Sequence, residues 1–192
     1  MSSSRLEAFS DAVIAILMTI MVLELHAPEG DDLDALRHVL PQFLAYLLSF
    51  VYLGIYWNNH HHMLQATERV NGRVLWANLH LLFWLSLFPF TTAWIGQSDL
   101  AHLPTAVYGI DMLLAAIAYY VLQNTIISAQ GPGSTLAEAI GADLKGKVSP
   151  LFYASAVGLA FVAPWASVSL YVVVALMWLV PDRRVESRFT DA

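Results

Sequence analysis

The chain has 192 residues, 58% of them hydrophobic and 12% charged, with no cysteine and a formal net charge of −6. Soluble domains carry about 25% charged residues, and the mean hydropathy here is +0.59, so the composition places the chain in a bilayer. Disulfides, thiolate metal sites and a cysteine nucleophile are excluded, and no basic block points to nucleic acid.

A spanning helix needs about 20 mostly apolar residues. Six segments are read as spans: residues 5–25, 38–63, 74–95, 104–128, 148–163 and 165–180. The first, RLEAFSDAVIAILMTIMVLEL, is expected to be a retained helix rather than a secretory signal. Arg5 is its only basic residue, Asp11 interrupts its apolar run, and no small-x-small cleavage site follows. The second span is expected to open near Pro41, a residue suited to a first helical turn. The third carries Pro89, which frees a carbonyl and can kink the helix. The last two spans are short and almost touch at Pro164, which predicts a tight helical hairpin. The longest connection, residues 129–147, holds an amphipathic patch at 136–144. Residues 1–192 read as one six-helix domain.

Basic residues set the orientation. With the N-terminus in the cytoplasm, Arg5, Arg69, Arg73, Lys145, Lys147, Arg183, Arg184 and Arg188 all fall inside, and only Arg37 falls outside. An odd number of spans destroys that bias. The expectation is an all-α integral membrane protein with six helices and both termini cytoplasmic.

Asp11 lies about 9 Å deeper than Arg5 along a helix. A carboxylate at that depth is costly against lipid, so it faces protein or water. The second helix returns inward through YWNNHHHM, which brings Trp57, Asn58, Asn59, His60, His61 and His62 to the same level; Asn78 and His80 of the third helix lie nearby. Two readings of Asp11 stay open, a structural anchor in an interhelical polar layer or a proton or ion ligand. Three consecutive histidines invite a metal, but neighbouring helical residues point about 100° apart. A metal ion there needs Asp11 or His80 as a further ligand, so the expectation is no metal site. Asp111 is a second intramembrane acid, with Arg37 as a candidate partner. Ile16, Ile20 and Leu23 share one helical stripe, with Thr19 beside it. The acidic run Glu24, Glu29, Asp31, Asp32 and Asp34 reads as a solvated loop. There is no TVGYG filter, arginine-rich voltage sensor, P-loop, GxSxG or HExxH motif. No enzyme is expected.

RLEAFSDAVIAI resembles the Arg-x-x-x-Phe-Ser-Asp signature that opens the first helix of the transmembrane protein 175 family of endosomal and lysosomal potassium channels, matched by Arg5, Phe9, Ser10 and Asp11. YWNNHHHM is similar to that family's second-helix stretch at Tyr56, Trp57, His60 and His61, and NLHLLFWLSLFPF to its third helix at Asn78, Pro89 and Phe90. The resemblance covers the first half of the chain. It implies a prokaryotic, single-repeat member that forms a homotetramer around a central pore lined by the first helix, in a prokaryotic plasma membrane. It implies a constriction at Ile16, further apolar rings at Ile20 and Leu23, and hydroxyls of Thr19 that coordinate a partly dehydrated cation. Arg5, Phe9, Ser10, Asp11, Trp57, His60, His61 and Asn78 then form a structural polar network that sets the rotation of the pore helix. The leading expectation is a passive potassium-selective cation channel with hydrophobic gating, K+ as permeant ion, no cofactor, and itself and lipid as partners. The alternative is a proton-coupled secondary transporter using Asp11, Asp111 and the histidines. A membrane-embedded metalloenzyme ranks third.

Overall fold

The computed structural model describes residues 2–131, 133–134, 136–137 and 143–179, and every described element is helical. These elements are α1 (Ser3–Leu23), α2 (Leu33–Gln65), α3 (Gly72–Leu85), α4 (Phe88–Gln97), α5 (His102–Gln130), α6 (Leu144–Ala160) and α7 (Pro164–Leu179). Four stretches are long and apolar enough to cross a membrane: Ser3–Leu23, Leu33–Gln65, Gly72–Gln97 across its break, and His102–Gln130. Pro164–Leu179 is a shorter apolar helix. Val180, Arg183, Arg184, Arg188 and residues 138–142 of the amphipathic patch lie outside the described residues.

α2 begins earlier than residue 38. Asp32 caps it by accepting from the Ala35 amide at 2.8 Å, which satisfies an amide that the helix leaves without an internal partner. Pro41 therefore sits inside the helix and not in its first turn. At 33 residues α2 is about 50 Å long, well beyond a hydrocarbon core of about 30 Å.

The third span is two helices. Pro89 has no amide hydrogen to give the Leu85 carbonyl, and its ring crowds that carbonyl. α3 stops at Leu85, and α4 starts afresh at Phe88 with the proline in its first turn. The Ser86 hydroxyl takes up the Phe83 carbonyl at 2.6 Å. The last two helices do form a hairpin, turning through residues 161–163 into Pro164 at the start of α7, the position where proline fits best.

α5 is the centre of the bundle and packs against α3, α4, α6 and α7; α2 packs against α1, α4 and α7. Small residues permit the closest approaches. A methyl group on Gly109 of α5 would run into the Tyr171 hydroxyl of α7 and stand 2.9 Å from Val157 of α6. Gly109→Ala is therefore expected to destabilise the protein by about 1–3 kcal/mol, the usual toll of overpacking. Thermal unfolding in detergent measures it, and an unchanged midpoint contradicts this packing.

A buried polar seam joins the α5 side of the bundle. Thr92 of α4 donates to Ser49 of α2 at 2.7 Å, and Ser49 pairs with the Tyr108 hydroxyl of α5 at 2.9 Å. The Tyr171 hydroxyl donates to the Thr105 carbonyl at 3.0 Å, and Tyr52 donates to the Tyr171 carbonyl. Each hydroxyl bond satisfies a group that would otherwise be costly in an apolar interior. Asp111 belongs with this seam. It is 4% exposed and accepts from Thr91 of α4 at 3.0 Å. The expected partner Arg37 is engaged elsewhere, in an exposed pair with Asp34 at 2.8 Å. Arg37 pairs with Asp34 because Asp34 is one turn away on the same helix, while Asp111 is inside the bundle.

Candidate functional site

α1 divides into two faces. Leu6, Ser10, Ile14, Leu17 and Met21 are buried at intervals of three and four residues, so this stripe seats α1 on the rest of the chain. The other face, through Arg5, Phe9, Ala12, Ile16, Thr19, Ile20 and Leu23, is exposed in the single chain. Ile16 is 55% exposed, Ile20 39% and Leu23 76%. The Thr19 hydroxyl donates to the Ile16 carbonyl at 2.8 Å. Its proton is thus committed, and its oxygen presents lone pairs outward.

Three fully buried side chains tie α1, α2 and α3 together. Asn78 Oδ1 lies 2.7 Å from His60 Nε2, and Asn78 Nδ2 donates to Ser10 Oγ at 2.9 Å. Ser10 in turn donates to the Leu6 carbonyl at 2.9 Å. With Nε2 protonated, His60 starts a one-way chain of donors that ends on backbone. Ser10, His60 and Asn78 are each 0% exposed, so each bond replaces water that cannot reach the group.

A second cluster lies along the same α1–α2 seam, half-exposed. Trp57 Nε1 donates to Asp11 Oδ1 at 3.1 Å. His61 Nδ1 lies 2.7 Å from Glu7 Oε1, and the His61 ring stacks on Trp57 with centroids 6.0 Å apart. The chain thus brings Ser10, His60 and Asn78 into one group and Asp11, Trp57 and His61 into another. It does not bring in Arg5 or Phe9, which sit on the exposed face of α1. His80 is also absent from the polar layer. It is exposed and accepts from Trp84 at 2.9 Å on its own helix, because it lies two positions, about 200° of helical turn, from Asn78. Asn58 is exposed, and the Asn59 amide turns back to the Ile55 carbonyl at 2.8 Å. Glu7 escaped the sequence reading, though its i,i+4 spacing from Asp11 was the available signal.

This arrangement can be set beside known proteins. A family profile described as endosomal/lysosomal potassium channel TMEM175 matches residues 5–89. A protein from Chryseobacterium sp. (strain P1-3), named as a potassium channel, is 53% identical over 191 residues and covers 100% of both chains. The chain belongs to the TMEM175 family. A potassium channel from Chamaesiphon minutus is 29% identical over 186 residues, covering 91% of this chain and 92% of its own. The crystal structure of a lysosomal potassium-selective channel TMEM175 homolog from that organism matches with a TM-score of 0.81 at 28% identity, covering 93% and 96% of the two chains. The Danio rerio protein named endosomal/lysosomal proton channel TMEM175 is 27% identical over 68% of this chain and only 25% of its own length. Membership in TMEM175 makes this an integral membrane protein of an ion-channel family, and the carrier reading is not favoured.

Proposed function

We propose that this TMEM175 family member is a passive, potassium-selective channel in a prokaryotic plasma membrane. Residues 1–192 form one channel domain, both termini are cytoplasmic, and four copies surround a pore lined by α1. The observation that carries this reading is the two-faced first helix. One stripe is sealed against its own chain, while the opposite stripe is apolar, exposed and continuous from Phe9 to Leu23. Four such stripes facing one axis stack rings of Ile16, Ile20 and Leu23. A dry ring of this kind resists hydrated ions and opens by widening and wetting. Thr19, with its proton held by the Ile16 carbonyl, offers four hydroxyl oxygens to a cation that has shed part of its water.

The Ser10–Asn78–His60 chain supports the same reading mechanically. It fixes the rotation of α1 on α2 and α3, and so determines which side chains face the axis. Planar-bilayer recording of the purified protein under a K+/Na+ gradient tests the proposal. Resolvable unitary currents that reverse toward the potassium equilibrium potential are expected. Silence in the bilayer, with proton-driven uptake into liposomes instead, overturns the channel.

A further inference from the structure

The cluster at the inner end of α1 contains a ligand set that conduction does not use. Glu7 and Asp11 are one turn apart on α1, and His61 faces them from α2. One ligand atom from each residue lies within 4.8 Å of the other two. We propose that Glu7, Asp11 and His61 bind a first-row divalent cation of the Zn2+ class, one per chain, across the α1–α2 seam.

The donors suit such an ion. Two carboxylate oxygens and one imidazole nitrogen are the ligand types of three-residue zinc sites, which keep a further position for water. The imidazole disfavours Ca2+ and Mg2+, which take oxygen ligands. Glu7 and Asp11 project from the same side of α1 because i,i+4 residues are neighbours. His61 closes the set from a different helix, so the site exists only when α1 is seated on α2.

Charge argues in the same direction. Two carboxylates stand together in a partly desolvated place, and Arg5 of the same helix makes no ion pair among the described residues. A neutral imidazole leaves the cluster at −2, which a divalent ion cancels. His61 Nδ1 is 2.7 Å from Glu7 Oε1, yet the contact lacks hydrogen-bond geometry. The two atoms are thus close without a well-directed proton between them. The side chains of His61 and Glu7 are 31% and 20% exposed, so the cluster lies at the edge of the α1–α2 seam, while His61 Nδ1 itself is turned inward toward the carboxylates.

The surrounding groups complete the site. Trp57 Nε1 holds Asp11 by its Oδ1. The Gln65 side-chain amide sits 2.9 Å from His61 Nε2. With that amide turned end for end, its oxygen accepts the Nε2 proton and leaves Nδ1 bare toward the carboxylates. This is the support that metal-binding histidines ordinarily have.

The test is calorimetric titration of ZnCl2 into untagged, chelator-stripped, full-length protein in detergent, with thermal unfolding alongside. About one Zn2+ per chain is expected, with a raised unfolding midpoint, since an ion that binds only the folded state stabilises it. Glu7→Gln and His61→Gln are each expected to weaken binding at least about tenfold, because even an outer-shell partner is worth about 10–100-fold. His80→Gln, which changes a histidine outside the cluster that is bonded to Trp84 on its own helix, leaves binding unchanged. Wild-type protein without saturable binding overturns the site, as does undiminished binding in both ligand variants. Neither readout depends on ion conduction, so a silent bilayer leaves this proposal standing on its own measurement.

Discussion

Ile16→Asn is expected to raise unitary conductance and to reduce the preference for K+ over Na+. Ile16 is 55% exposed on the free face of α1, four residues before Ile20 and seven before Leu23. In the proposed tetramer a ring of four isoleucines would give an ion no ligand, and the barrier there would be largely the loss of hydration. Asparagine is similar in size and brings an amide that keeps the ring wet. A barrier lowered by about 1.4 kcal/mol corresponds to about tenfold in rate, and that sets the scale of the expected gain. Selectivity falls because an ion crossing a wet ring keeps more of its water shell, and with it the likeness between K+ and Na+. Single-channel conductance and reversal potential under a K+/Na+ gradient measure both effects. An unchanged current and an unchanged reversal potential remove Ile16 from the narrowest part of the pathway.

Asn78→Leu is expected to abolish stable assembly. The substitution is close in size, so it leaves little cavity. It removes the acceptor for His60 Nε2 and the donor to Ser10 Oγ in a place with no access to water. Leaving buried polar groups unsatisfied costs about 1–3 kcal/mol each. His60 is left without a partner while Ser10 keeps its bond to the Leu6 carbonyl, and a loss of this size is a sizeable part of the usual folding stability of about 5–15 kcal/mol. Size-exclusion chromatography with light scattering, together with the unfolding midpoint, reads the result. Asp11→Ala is expected to do less harm to assembly, because Asp11 is only half-buried and its Trp57 partner is exposed. Loss of assembly in Asp11→Ala with normal assembly in Asn78→Leu reverses that ranking and returns the anchor to the signature carboxylate.

The contrast between these two residues shows where sequence reading stops. The depth of Asp11 and the polar company of the second and third helices follow from spacing along α-helices. The partition of that company into a buried chain and a half-exposed cluster does not. It depends on which face of α2 meets α1, and three adjacent histidines point to three different sides. His60 goes into the core, His61 toward Glu7, and no spacing rule assigns them.

Other local features were readable because they are covalent or short-range. Pro89 breaks the third span for lack of an amide hydrogen, and Pro164 opens the last helix after a three-residue turn. Pro41 misled the start of α2, since the Asp32 side chain caps the helix nine residues earlier and an exposed proline is carried inside it. Asp111 was legible as an intramembrane acid, but its partner was not. Thr91 lies 20 residues away on a separate helix, and only packing brings the two together.

By itself, the sequence determined an all-helical membrane protein, its channel family and the breaks in its helices. Those properties rest on apolar length, on motif order and on the chemistry of proline. The tertiary structure alone decided which stripe of α1 is buried and which is free. Almost every residue after Asp11 in that helix is apolar, so hydrophobicity carries no directional signal around its circumference. The direction comes from the close fit of Leu6, Ser10, Ile14, Leu17 and Met21 against neighbouring helices, with Ser10 locked by Asn78.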